Sequence, residues 1–322
     1  MTKYNIGPLD FSKLKTVSLF GRGGKVTVDH FASPSTKGVT ARRLLDSLPK
    51  LLAADSLRAV VDALESARRH RRAILWGLGG HVIKCGLAPI LLDLMRRGWV
   101  TGFVLNGAAA IHDLEIALAG YTSEDVEAVL PDGSFGSADE TGREMNRAFA
   151  EARRDGIGAG EAIGRLLDSI ADSRYGSQSL VLEAWRANVP VTVHIAVGTD
   201  TPHTHPKAVA EDIGHATHTD FRLVCSLVTG LDQGGVFLNV GSAVVLPEVF
   251  LKAVSSARNL GRPLGAFTTV NFDFLQHYRP KVNVVERPHA QKGGRGYSIT
   301  GHHEIMIPLL AAILLDREES AS

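Results

Sequence analysis

The sequence predicts a three-layered α/β fold, a mostly parallel sheet of about six strands covered by helices on both faces. Three observations lead there. Short apolar runs recur along the 322 residues, each ending in glycine or a small polar residue and followed by a stretch of helical spacing. Most of these runs are continuously apolar rather than alternating, the pattern of strands buried on both faces. Hydrophobic residues make up 44% of the chain, against 21% charged, which is enough apolar material for a large core.

Residues 1–40, with GRGGK at 21–25 and SPSTKG at 33–38, read as an irregular arm ahead of helices spanning 40–69. Ala73 to Trp76 is the first strand; it runs into Gly77-Leu78-Gly79-Gly80 and a helix from Val82 to Arg97. Val100 to Leu105 is the second, ending at Asn106-Gly107 before a helix from Ala108 to Ala119. Residues 120–180 break the rhythm with a Pro131–Gly136 turn and two helices, Ser137 to Arg154 and Gly160 to Ser173. With no strand between them, these form a helical insertion. Strand Val191 to Val197 ends at Gly198-Thr199-Asp200. Strand Val236 to Leu238 ends at Asn239-Val240-Gly241-Ser242, before a helix from Pro247 to Asn259. Two more strands follow: Ala266 to Val270, ending at Asn271, and Val282 to Val285, ending at Glu286-Arg287-Pro288. Lys292 to Gly296 is a basic, glycine-rich loop, and Ile305 to Leu315 the closing helix. No repeat or long linker divides the chain, so 1–322 reads as one domain with a frayed end from Asp316.

Composition narrows the function. Lys and Arg number 35 against 34 Asp and Glu, a net charge of +1, so bulk charge does not direct the chain to nucleic acid. The two cysteines, Cys85 and Cys225, build neither a disulfide framework nor a cysteine-based zinc site. No apolar run approaches the ~20 residues of a membrane span, and MTKYNIGPLDFSK lacks a signal-like apolar core. The expectation is a cytoplasmic protein with a small-molecule substrate.

In a parallel sheet, ligands bind at the carboxyl ends of the strands. If the strands are parallel, Gly77, Gly79, Gly80 and His81, then Asn106 and Gly107, Thr199 and Asp200, Asn239, Gly241 and Ser242, and Asn271 all reach that edge. Amides, hydroxyls and bare backbone N–H groups with little net charge suit a nucleotide. GxxxxGK[ST] is absent, which excludes a P-loop enzyme. Thirteen histidines form the second signal. His203, His205, His302, His303 and Glu304 are candidate acid–base groups, because imidazole titrates near neutral pH. His194, His203, His205, His215 and His218 offer an alternative, a metal-dependent hydrolase or lyase; no specific ligand spacing supports it, and no metal is assigned.

Over most of residues 72–315 the chain resembles the deoxyhypusine synthase family. The segments that carry the resemblance are Gly79 to Gly86, Val104 to Leu118 (VLNGAAAIHDLEIAL, with Asp113-Leu114), Val189 to Asp200, Gly234 to Ala253, Ala266 to Asn271 and Tyr297 to Leu315. The Asn106 to Glu115 segment also resembles the ornithine-cyclodeaminase-like domain of bifunctional arginine dihydrolases. The resemblance implies a Rossmann-like NAD-binding fold, Asp113 among the cofactor contacts, and a homotetramer with sites at dimer interfaces. It also implies NAD chemistry that oxidises an amine before transfer. Two features depart from the family: the Ser-Trp-Gly-Lys segment of its catalytic lysine is absent, and Val244 to Glu248 replaces its histidine pair. Deoxyhypusine synthesis is therefore not expected. The expected activity is transient oxidation of a small amine or hydroxyl substrate with NAD or NADP, the alternative to catalysis being nucleotide binding alone.

Overall fold

A computed structural model describes residues 3–172, 174–290 and 293–319. Six strands form one sheet: β1 (Ile74–Leu78), β2 (Gly102–Asn106), β3 (Val191–His194), β4 (Val236–Val240), β5 (Thr268–Asp273) and β6 (Arg295–Thr300). Their order is β3-β2-β1-β4-β5-β6 and every pairing is parallel. The chain thus winds outward from β1 in both directions, and the crevice between β1 and β4 is the point where it reverses. Register aligns Gly77, Asn239, Asn271 and Ser298 in one row, one residue short of the carboxyl edge of β1 and β4.

The helices are α1 (Ala41–Ser47), α2 (Leu52–Arg69), α3 (Gly80–Lys84), α4 (Ala88–Arg96), α5 (Gly107–Ala119), α6 (Val126–Val129), α7 (Asp139–Asp155), α8 (Ala159–Ile170), α9 (Leu180–Arg186), α10 (Ala210–Leu227), α11 (Val245–Asn259) and α12 (His303–Glu319). The two faces of the sheet carry separate cores. Ile74, Trp76 and Leu78 of β1 and Val236, Leu238 and Val240 of β4 join one with residues of α2, α4, α5 and α12. Leu75, Val104 and Phe237 point the other way, into a core with residues of α10 and α11. This alternation within continuously apolar strands is why the runs carry no polar face. Buried Trp76 keeps its indole N–H satisfied by the Trp99 carbonyl at 3.1 Å.

Three expected elements differ. Val282 to Val285 is not a strand but part of a π-helical segment, Pro280–Glu286. A short β-branched run fits a buried helical turn as well as a strand, and here Thr269 of β5 donates its hydroxyl to the Val284 carbonyl at 2.6 Å. The sixth strand is β6, an edge strand pairing only with β5; it begins in the last two residues of the stretch expected to be a loop, Arg295 and Gly296, and runs on to Thr300; Lys292 lies outside the described residues. The helix expected over 82–97 is two, α3 and α4, separated at Gly86, whose φ of +71° a left-handed turn requires. Within 120–180 the described residues hold helices and no strand; Ser173, the expected end of one helix, lies outside them. Among the described residues, 3–40 carry only two short 3-10 turns, and no helix is long and apolar enough to cross a membrane.

Candidate functional site

The carboxyl edge at β1 and β4 is built on bare backbone. Gly79 follows β1 and Gly241 follows β4; a Cβ on Gly79 would lie 1.9 Å from the Gly241 carbonyl oxygen. No other residue type fits there. Gly241 itself has φ +68°, and a Cβ on it would meet the His303 ring at 2.9 Å. Gly80 opens α3 against Ala108 of α5, again at 3.0 Å from where a Cβ would stand. The main chains of two strand ends therefore meet without side chains between them.

Behind this edge runs a chain of amides. Asn239, fully buried, donates its Nδ2 to the Ser242 carbonyl at 2.9 Å and to Asn271 Oδ1 at 2.7 Å. Asn271 donates in turn to Gln276 Oε1 at 2.8 Å, and Gln276 to the Ile299 carbonyl at 3.2 Å. Ser242 Oγ accepts the Leu246 N–H at 3.2 Å at the start of α11. These side chains tie the ends of β4, β5 and β6 to one another. Asn239 Oδ1 is buried with no partner, an orphaned acceptor whose desolvation a ligand donor would offset.

At the same edge the structure gathers His81, His302, His303 and Glu304. His303, the first residue of α12, is fully buried; its Nδ1 lies 3.0 Å from His81 Nδ1 and its Nε2 3.3 Å from the Phe272 carbonyl. Asp273 Oδ1 stands 3.8 Å from the same Nε2. Burial holds His303 below the ordinary histidine range, against the pull of Asp273. Phe274, half-exposed, packs against the rings of His81, His302 and His303 at 5.7–5.9 Å. Cys85 Sγ lies 3.4 Å from His81 Nδ1; burial and Glu304 push its thiol up. Asp273, Phe274, Gln276 and Cys85 were not singled out from the sequence. Asp273-Phe274, two residues beyond Asn271 where β5 ends, is the signal that points to the first two.

The β2 and β3 end is different. Asp200 lays its carboxylate against the first turn of α5, so that a Cβ on Gly107 would meet Oδ2 at 2.0 Å, and it accepts the Ala196 N–H at 2.9 Å. Burial pushes its carboxyl up. Asn106 caps α5 by accepting the Ala109 N–H, and Thr199 closes its own turn on the Ala196 carbonyl. Of the expected nucleotide contacts, these residues serve the chain itself, and an acidic group already fills the helix end that an anion would favour. His203 accepts the Gly198 N–H, and His205 has one ring nitrogen on Asp139 and the other on the Lys207 N–H. The expected pocket joining His203 and His205 with His302, His303 and Glu304 is not formed. β2 and β1 stand between β3 and β4, three strand spacings or roughly 14 Å.

Asp113, the acidic residue expected to face the cofactor, is buried away from the edge. It accepts Ser179 Oγ at 2.5 Å, Leu180 N at 2.6 Å and Val181 N at 3.0 Å, satisfying the start of α9. Burial pushes its carboxyl up to about 6. Asp220 of α10 does the same for α8, accepting Gly160 N and, from β3, Val193 N; burial pushes it up to about 7. The alternative metal cluster is dispersed. His194 Nε2 is 3.0 Å from Thr192 Oγ1, in a setting so buried that its pKa falls to about 3, and His215 faces Thr219. Among the described residues no group of three or more His, Cys, Asp or Glu is placed to hold a metal ion.

No family model matches the chain, and no curated protein matches it. Solved structures do. A conserved LOR/SDH-type protein from Methanococcus maripaludis S2 is similar at TM-score 0.53 and 14% identity, over 84% of this chain and 71% of that one. AgrE, solved in a ternary complex with ornithine and NAD+, is similar at 0.52 and 15%, over 83% of this chain and 33% of AgrE. A protein from Entamoeba histolytica assigned as a deoxyhypusine synthase is similar at 0.51 and 11%, over 87% and 94%. The chain spans about a third of AgrE's length. It has the deoxyhypusine synthase-like fold expected from its sequence.

Proposed function

We propose that the protein is an NAD-dependent enzyme that transiently oxidises a small amine or hydroxyl substrate, with the dinucleotide in the crevice between β1 and β4. One observation carries the reading: Gly79 and Gly241 bring two bare strand ends together at the point where the strand order reverses, beside the orphaned Asn239 Oδ1. Such a crevice is where sheets of this topology take dinucleotides, and AgrE, a neighbour in fold, was solved with NAD+ and ornithine. Gly79, Gly80, Gly241 and Asn239 would hold the dinucleotide, which supplies a hydride acceptor that side chains lack.

The histidine group would take up the proton that the substrate releases on oxidation. Phe274 gives substrate an apolar wall, and Glu304, kept ionised by its own backbone N–H and by His302, sets a negative charge at the mouth that suits an ammonium. The protein works as a homo-oligomer in this reading. Eleven large apolar residues between Tyr4 and Phe31 stand exposed, as do Val244, Phe274, Leu275, Tyr278 and Ile305 around the site. Apolar surface on this scale marks a protein interface.

Calorimetry with NAD and NADP tests the core of the proposal, followed by absorbance at the reduced-nicotinamide band with ornithine and other small amines or alcohols. Binding of NAD at 100 times its dissociation constant stabilises the fold by about 2.7 kcal/mol, a clear shift in a melt. No heat, no shift and no reduction with either dinucleotide would overturn it. Light scattering that gives a monomer at micromolar concentration would remove the oligomer.

A further inference from the structure

The pairing of His81 with His303 fixes more than proximity. Phe272 O is a carbonyl and only accepts, so the His303 Nε2 that faces it at 3.3 Å carries a proton. The same oxygen already accepts the Gly241 N–H at 3.2 Å, which locks it in place. The Asp273 carboxylate, on the same side at 3.8 Å, makes the same demand on Nε2. His303 is fully buried and neutral, so with its proton at Nε2 its Nδ1 holds a bare lone pair. His81 Nδ1 stands 3.0 Å from that lone pair and must donate. In neutral His81 the remaining nitrogen, Nε2, is then bare.

We propose that Asp273, His303 and His81 form a relay that holds His81 in its Nδ1–H tautomer, making His81 the proton acceptor of the site and His303 the positioning residue behind it. This rests on the proposed oxidation for its use, though not for its geometry. His81 is exposed at the mouth, beside the Phe274 ring. When substrate releases a proton from N–H or O–H, His81 Nε2 gains it and becomes the imidazolium. Its Nδ1–H stays on His303 Nδ1, and the Asp273 carboxylate, 3.8 Å from His303 Nε2, offsets the new charge through space. No side chain is oxidised; the two electrons leave with the substrate's hydride. The other titratable groups facing the pair are Cys85 from the end of α3 and Glu304 from α12, both of which lower the cost of a cation there once ionised.

Ring-15N histidine labelling reads the tautomers directly, on dinucleotide-free protein, so the outcome is independent of whether NAD binds. His81→Gln, an exposed site, assigns the His81 signals by their loss. At pH 8 the expected pattern for His81 is a protonated Nδ1 and a bare Nε2, the reverse of the form free neutral imidazole of histidine favours. In His303→Gln the His81 pattern reverts to Nε2–H, a change that a purely structural His303 would not produce. Wild-type His81 with its proton on Nε2 overturns the relay, whether or not His303→Gln folds; so does a His81 tautomer unmoved in a folded His303→Gln. With any amine or alcohol that reduces NAD, His81→Gln is expected to lose about 100-fold or more in kcat while NAD affinity stays within about threefold; an unchanged kcat overturns the acceptor role.

Discussion

Two histidine-rich ends of the same sheet edge look alike in sequence and are put to opposite uses. At β3, His205 is bonded through both ring nitrogens, His194 is buried against Thr192, and Asp200 fills the first turn of α5, while Asp220 Oδ1 and Asn146 Oδ1 are left buried without a partner. At β4 to β6, polar groups are linked to one another, Asn239 Oδ1 is buried without a partner, and His81 carries an exposed ring on a buried one. Histidine and asparagine count does not separate a structural cluster from a working one. What distinguishes the β4 to β6 end is an exposed imidazole held by a buried one, beside two strand ends of bare backbone.

The largest effect that would test this division belongs to Asp220, on the β3 side. Asp220→Ala removes the acceptor for two buried backbone N–H groups, of Gly160 and Val193, and is expected to cost about 2–4 kcal/mol of stability. A melt should show a fall of about 5 °C or more. Dinucleotide affinity of the folded fraction should stay as in the wild type, and a specific loss of affinity would mean that the β3 end belongs to the site after all.

Next comes a matched pair of glycines. A methyl at Gly79 meets backbone, the Gly241 carbonyl, whereas a methyl at Gly107 meets the Asp200 side chain, which can turn away. Gly79→Ala is therefore expected to force the β1 and β4 loops apart, at about 1–3 kcal/mol, and to weaken NAD binding more than tenfold. Gly107→Ala should lower the melting temperature by less and leave binding within about threefold. Equal losses of affinity, measured by calorimetry, would spread the site across both ends.

The strand-and-glycine rhythm made the fold legible, because buried parallel strands are written as local apolar runs with turns after them. It also placed the β1 and β4 crevice, through Gly79, Gly241 and Asn239. It failed where the signal is not local. Val282–Val285 has strand composition but sits in a helical turn closed by Thr269, while β6 is a short edge strand that opens on Arg and Gly straight out of a glycine-rich stretch. Asp113 looks like a site acid until its partners are known, and those lie 66 to 68 residues away. His203 and His205 were grouped with His302 and His303 by residue type, and only the strand order shows the separation.

A smaller effect follows from protonation. Burial lifts Asp220 to about 7 and Asp113 to about 6, so the folded chain holds these protons more tightly than the unfolded one, and their contribution to stability grows as pH falls through these values. His194, at about 3, and His289, at about 4, act oppositely: both are neutral when folded and take up protons when unfolded, so stability is lost below about 6.5. The melting temperature should rise slightly from pH 8 to about 6.5 and stay nearly level below it, where the carboxyls' gain and the histidines' loss offset one another. Asp220→Asn should flatten the rise; a rise that persists would assign it to groups on the other side of the sheet.

The smallest expected effect concerns metals. If the β3 histidines are committed to the chain, neither EDTA nor added zinc should move the melting temperature of untagged protein by more than about 1 °C, since a ligand that binds the folded state stabilises it in proportion to its occupancy. The geometry gives the reason. His205 presents both ring nitrogens to Asp139 and Lys207, and His194 points at Thr192, so binding a metal would first require breaking bonds that the fold already makes. A zinc-dependent rise of several degrees, lost in His205→Asn, would show that those bonds are traded for coordination. The two ends of the sheet edge would then both be working sites, and the difference between them would be one of ligand.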